Sequence, residues 1–347
     1  MKIDLISHIE EFGNNYLVVS GIYGGKILSI LNESLEIVKE FEISGIELWG
    51  ADFHVSEIEN KVLISIYSTH TNKLSNWKYQ GFTTHWYELK KMKNEFSFSK
   101  IETWETSDIR RIKSVQTENY IHWVAFRDLN YQHQKERTGK KTVINYETTS
   151  IELSVPQLKS SVLITKHLDH NFDLLIDNEK IYLSTISFGA PDKCGVIQVD
   201  QNNETTIIQY FDIPLRKLHH YQSNRLVKID QYIFAYFWTT SHESSKKYQF
   251  EIYQTENLKQ SSISKSTTRL VDSDFTYGII WNKPRKISYR KEYKSSTKYI
   301  AELNSQGKIQ NEKSIENWFP IHIGFNNDII CVDEDSQKMK LINEKSW

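Results

Sequence analysis

The chain has 347 residues, of which 39% are hydrophobic and 25% charged, and its formal net charge is −1. This is the composition of a folded globular chain, and it excludes a disordered or fibrous one. The balanced charge provides no global field for nucleic acid or for an anionic membrane surface.

At the N-terminus, "MKIDLISHIEEFGNN" carries acids where a signal peptide needs an apolar core of about 7–15 residues. No apolar run further on approaches the roughly 18–20 residues needed to cross a bilayer. The two cysteines, Cys194 and Cys331, sit in or beside apolar segments and read as buried reduced thiols. The expectation is a cytoplasmic protein with no membrane partner.

Seven segments in chain order combine a polar turn with a strongly β-forming run. They are "GNNYLVVSGIY" from Gly13, "ENKVLISIYS" from Glu59, "TENYIHWVAFR" from Thr117 and "DNEKIYLSTIS" from Asp177. "IDQYIFAYFWT" from Ile229, "NKPRKISYRKEY" from Asn282 and "FNNDIICVDED" from Phe325 complete the set. Val, Ile, Tyr, Phe and Trp dominate them, as a pleated and largely buried surface prefers. A second short strand follows each, at 26–32, 85–91, 141–148, 195–202, 248–255, 298–305 and 338–345. Most then have a more polar, alternating strand, at 36–43, 96–104 and 205–213 for example.

Four strands in meander order, of falling hydrophobicity, repeat at a spacing of 43 to 60 residues. On that pattern the whole chain resembles the seven-bladed β-propeller superfamily, WD40-like in architecture. The Gly-His and Trp-Asp dipeptides of WD40 repeats are absent at that period, and "YGG" (23–25) is an isolated double glycine rather than a kelch repeat. The resemblance implies an all-β fold of seven four-stranded blades in a single domain, 1–347, with six blades as the alternative. The seventh unit lacks a clear fourth strand. Residues 2–7 are expected to supply it and close the ring by pairing the two termini; alternatively, residues 4–12 form the first strand of the first blade.

In such a ring the connections from second to third strand and from blade to blade open on one face. The longest second-to-third connections are "THTNKLSNWKYQGFTT" (69–84), carrying Trp77 and Tyr79, and "DLNYQHQKERTGKK" (128–141), carrying Tyr131, His133 and Arg137. The blade-to-blade connections on that face are also rich in large polar residues. "LWGADFH" (48–54) holds Trp49, Asp52 and His54, and "DIRRIK" (108–113) holds Arg110 and Arg111. "HLDHNFD" (167–173) holds Asp169, His170 and Asp173, "PLRKLHHY" (214–221) holds His219, His220 and Tyr221, and "VDSDFTY" (271–277) holds Asp274. "WFPIH" (318–322) belongs to the same set. Aromatic and Arg residues on rigidly held loops have the make-up of a protein-binding surface.

Signals for chemistry are weak. A structural zinc site needs about four converging ligands, and neither cysteine has a local partner. There is no G-x-S-x-G elbow, P-loop or G-x-G-x-x-G turn. No metal, cofactor or catalytic residue is assigned. Two basic runs, Arg110–Lys113 and Lys283–Lys294, raise nucleic-acid binding, the second interleaved with Trp281, Tyr289 and Tyr293. On a strand those cations split between two faces, which disfavours one patch.

The reading is a non-enzymatic propeller that binds another protein. By analogy of fold, with a Lys/Asn/Ile/Ser-rich composition of bacterial type, the partner is expected to be a toxin domain that the chain neutralises as an immunity protein. Asp52, Asp173 and Asp274 would then face a basic cleft. The alternatives are a metal-dependent hydrolase or lyase using a central channel, and a binder of nucleic acid or another anionic ligand.

Overall fold

The computed structural model describes residues 6–21, 26–43, 50–56, 60–71, 79–93, 95–106, 109–116, 120–127, 145–152, 158–165, 172–178, 180–186, 193–199, 205–212, 218–229, 231–243, 247–255, 258, 263–271, 278–279, 286–290, 297–304, 309–316, 318–333 and 338–343. The chain divides into two units, Lys2–His170 and Asn171–Trp347, the latter together with Met1.

The unit Lys2–His170 contains three antiparallel meanders. The first is β1 (Ile6–Phe12), β2 (Asn15–Ser20), β3 (Lys26–Asn32) and β4 (Ile37–Ile43). The second is β5 (Gly50–Ser56), β6 (Lys61–Thr71), β7 (Tyr79–Met92) and β8 (Glu95–Thr106). The third is β9 (Ile109–Gln116), β10 (Tyr120–Arg127), β11 (Asn145–Glu152) and β12 (Leu158–Thr165).

Burial explains the falling hydrophobicity along each repeat. All six residues of β2, "NYLVVS", are buried, as an apolar run covered on both faces must be. The outermost strand β4, "IVKEFEI", is exposed along most of its length, and only Ile43 is buried. Phe12 and Asn15 pair across a two-residue turn in which Gly13 takes φ +55, a left-handed conformation that glycine adopts without penalty. At the β3–β4 turn, the Asn32 side chain accepts hydrogen bonds from the Ser34 and Glu36 N–H groups, both at 2.9 Å.

The core lies between the first two sheets. Leu17, Val19, Leu28 and Ile30 pack with Val62, Ile64, Ile66 and Leu89, each fully excluded from solvent. Each such side chain contributes roughly 1.5–3 kcal/mol by burial. The His8 and Phe53 rings stack at 5.2 Å, joining β1 to β5, and Phe98 lies against both Tyr87 (4.9 Å) and Phe41 (5.2 Å).

The unit Asn171–Trp347 repeats the plan. Its four-stranded meanders are β13 (Phe172–Asp177), β14 (Lys180–Ile186), β15 (Lys193–Val199), β16 (Thr205–Asp212); β17 (Leu218–Ile229), β18 (Tyr232–Glu243), β19 (Lys247–Thr255), β20 (Ile263–Val271); and β21 (Gly278–Ile279), β22 (Lys286–Arg290), β23 (Lys298–Leu303), β24 (Ile309–Ser314). A three-stranded sheet of β25 (Trp318–Ile323), β26 (Ile329–Asp333) and β27 (Met339–Ile342) follows. Val196 packs against Leu226, Ile233 and Ala235 of the next sheet, and Ile300 and Ile315 against Ile323, Ile329 and Cys331 of the last one. Among the described residues the chain thus forms six four-stranded sheets and one of three strands.

Two sequence expectations shift here. Ile6 and Ser7 belong to β1, paired with β2 from Ile6↔Ser20, so the alternative that makes this segment a first strand is the one observed. The rest of the expected closing segment, residues 2–5, lies outside the described residues. The third strand of the third sheet runs on to Glu152, beyond the expected 148, while 141–144 lie outside the described residues.

The outermost strands share a feature absent from the sequence pattern. Five of the six four-stranded sheets among the described residues carry a one-residue bulge there. The extra residue is Val38 on β4, Ile101 on β8, Lys159 on β12 and Ile208 on β16, and on β24 three residues span the interval of two on β23. β20 is the exception: its nine residues pair with β19 in unbroken register, from Lys247↔Val271 to Thr255↔Ile263.

Candidate functional site

Strand registers fix which connections share an end of each sheet. In the second sheet, Gly50 opens β5 opposite Tyr67, and Thr106 closes β8 opposite Phe82. The β6–β7 ladder runs past Tyr67 through Ser68↔Thr83 and Thr69↔Phe82 to Thr71↔Tyr79. The start of the first strand, the second-to-third connection and the end of the fourth strand therefore lie together, and the β6–β7 hairpin extends beyond its first strand. The fifth sheet repeats this, with Leu218↔Ser241, Glu243↔Lys247 and Lys247↔Val271 at one end. β9 packs beside β5 and β7, making the second and third sheets neighbours within their unit.

The ladder corrects the expected loop over 69–84. Residues 69–71 and 79–84 are strand, leaving 72–78 as the connection. Thr, Gly and Gln concealed the strand, because in an outer hairpin the cross-strand ladder supplies order that residue propensity does not. Tyr79 opens β7, whereas Trp77 lies outside the described residues. The second long connection, with Tyr131, His133 and Arg137, is also outside them, as are Trp49, Asp169, His170 and Asp274.

Of the expected blade-to-blade connections, most of the described residues are the opening residues of first strands. Asp52 and His54 lie in β5, opposite Ser65 and Leu63. Arg110 and Arg111 lie in β9, with Arg111 opposite Phe126 and Arg110 at a bulge. His219, His220 and Tyr221 occupy an irregular stretch of β17 between Leu218 and Gln222. Residues 318–322 form most of β25.

Asp173, in β13, is the one candidate whose side-chain environment is described. Its carboxylate accepts a hydrogen bond from Arg225 Nη1 at 2.8 Å and another from the Leu226 N–H at 2.8 Å. Only 4% of the Asp173 side chain is exposed, so here the carboxylate ties β13 to β17 and presents almost no surface. Sequence reasoning missed its partner, Arg225. The available signal was an Arg beside the apolar pair Leu226–Val227 at the centre of a first strand.

The basic run of 283–294 also changes meaning. Lys286 is paired across the strand with Glu302, while the neighbouring Ile287 and Ser288 are buried. Among the described residues, no three His, Cys, Asp or Glu side chains are grouped closely enough to hold a metal ion.

Solved structures share this arrangement over most of the chain. An ulvan lyase, a polysaccharide lyase, matches with a TM-score of 0.62 at 9% identity, covering 99% of this chain and 93% of its own. The WD40 domain of SCAP from fission yeast matches with a TM-score of 0.50 at 12% identity, covering 94% and 82%. The fold is a β-propeller. Hydrazine synthase of Kuenenia stuttgartiensis also matches, with a TM-score of 0.51 at 8% identity over 100% and 97% of the two chains. No family model and no curated protein matches the sequence. At these identities a shared propeller carries the fold alone, since the scaffold hosts unrelated activities. No helix among the described residues is long and apolar enough to cross a membrane.

Proposed function

We propose that residues 1–347 form one seven-bladed propeller that binds another protein and catalyses no reaction. The observation that carries this reading is the β6–β7 hairpin, which outruns its sheet at the end where that sheet's first strand, β5, begins. Next to this sheet, the connection between β10 and β11 spans 128–144, far longer than a hairpin turn requires. Aromatic residues carried on such connections supply rigid contact area at low entropic cost, and arginine adds directional hydrogen bonds.

Ring closure belongs to the same proposal. All four residues of β27 are half-buried, as for a strand with a neighbour on each side, whereas the fourth strand β24 is mostly exposed. What remains of the expected closing segment, residues 2–5, would supply that neighbour. Within the protein-binding class, the finer reading is a bacterial, cytoplasmic immunity protein that neutralises a cognate toxin by direct binding. The chain's composition and the analogy of fold support it.

The test is affinity capture with the full chain from its native source, mass spectrometry of what co-purifies, and metal analysis of the purified protein. A stoichiometric protein partner, lost in the Trp77→Ala/Tyr131→Ala variant at unchanged melting temperature, supports the reading. The partner's identity then decides the toxin assignment. About one equivalent of metal with no protein partner would overturn it.

A further inference from the structure

We draw no further inference here: the strongest candidate, the exposed apolar surface patch of Ile37 and Val38 at the bulge on the outermost strand β4, carries none because nothing in the structure shows what covers it.

Discussion

The carboxylate of Asp173 on β13 meets the guanidinium of Arg225 on β17 at 2.8 Å, with 4% and 14% of the two side chains exposed. Both carboxylate oxygens are engaged, since the second accepts the Leu226 N–H. Removing one member of a buried pair leaves an uncompensated charge in a medium that solvates it poorly. Asp173→Ala is therefore expected to cost about 3–5 kcal/mol in chemical denaturation. Asp173→Leu combined with Arg225→Met should recover much of that loss, because well-packed apolar residues often replace a buried ion pair without penalty. Equal losses in the single and double variants would show that the two residues act independently.

The Glu302 carboxyl is held below its ordinary value, first by the hydrogen bond from the Lys286 side chain and then by that from Asn311. A folded-state pKa below the unfolded one contributes stability that is fully present above the unfolded value, near 4.5, and is lost as pH falls through the folded value. Glu302→Gln should remove that part of the acid sensitivity while costing under about 1 kcal/mol at neutral pH, since the pair is partly exposed. Denaturation midpoints measured between about pH 3 and 7 check the sign. A variant with undiminished acid sensitivity would place its origin elsewhere.

The buried Cys331 thiol is pushed up to about 12, mainly by desolvation, with Lys340 and Lys298 opposing. Thiolate is the nucleophile, so at pH 8 roughly one molecule in ten thousand would carry it. Iodoacetamide in native buffer should leave Cys331 unmodified over hours and label it fully in denaturant, as read by peptide mass mapping. Fast native labelling would mean that the β26 region opens on its own.

Leu28 and Val38 lie in adjacent strands of one sheet yet differ completely in exposure, 0% against 49%. Leu28→Ala empties space between two sheets and is expected to cost about 2–5 kcal/mol. Val38→Ser, at an exposed bulge, should change stability by no more than about 0.5 kcal/mol. Urea midpoints of the two variants make the comparison.

The second strands were legible in the sequence because burial on both faces demands a continuous apolar run, as in β2 and β26. The polar openings of first strands were not. Asp52, Arg111 and His219 read as connection, because at the end of a strand the ladder holds residues that propensity would assign to a loop. The Asp173–Arg225 contact joins positions 52 apart, and no local pattern marks such a pairing. Bulges were equally hidden, since a bulge is a property of the register between two strands rather than of either strand. The candidate site was therefore readable as a set of connections at one end of the sheets, and its geometry was not.

Hydrogen exchange of the full chain, alone and saturated with its captured partner, tests the central claim most directly. The account predicts slowed exchange in 72–78 and 128–144 and at the adjoining ends of β6, β7, β10 and β11, with little change at the opposite turns around Gly13 and Asn60. Protection confined to those opposite turns, or absent from both long connections, would contradict it.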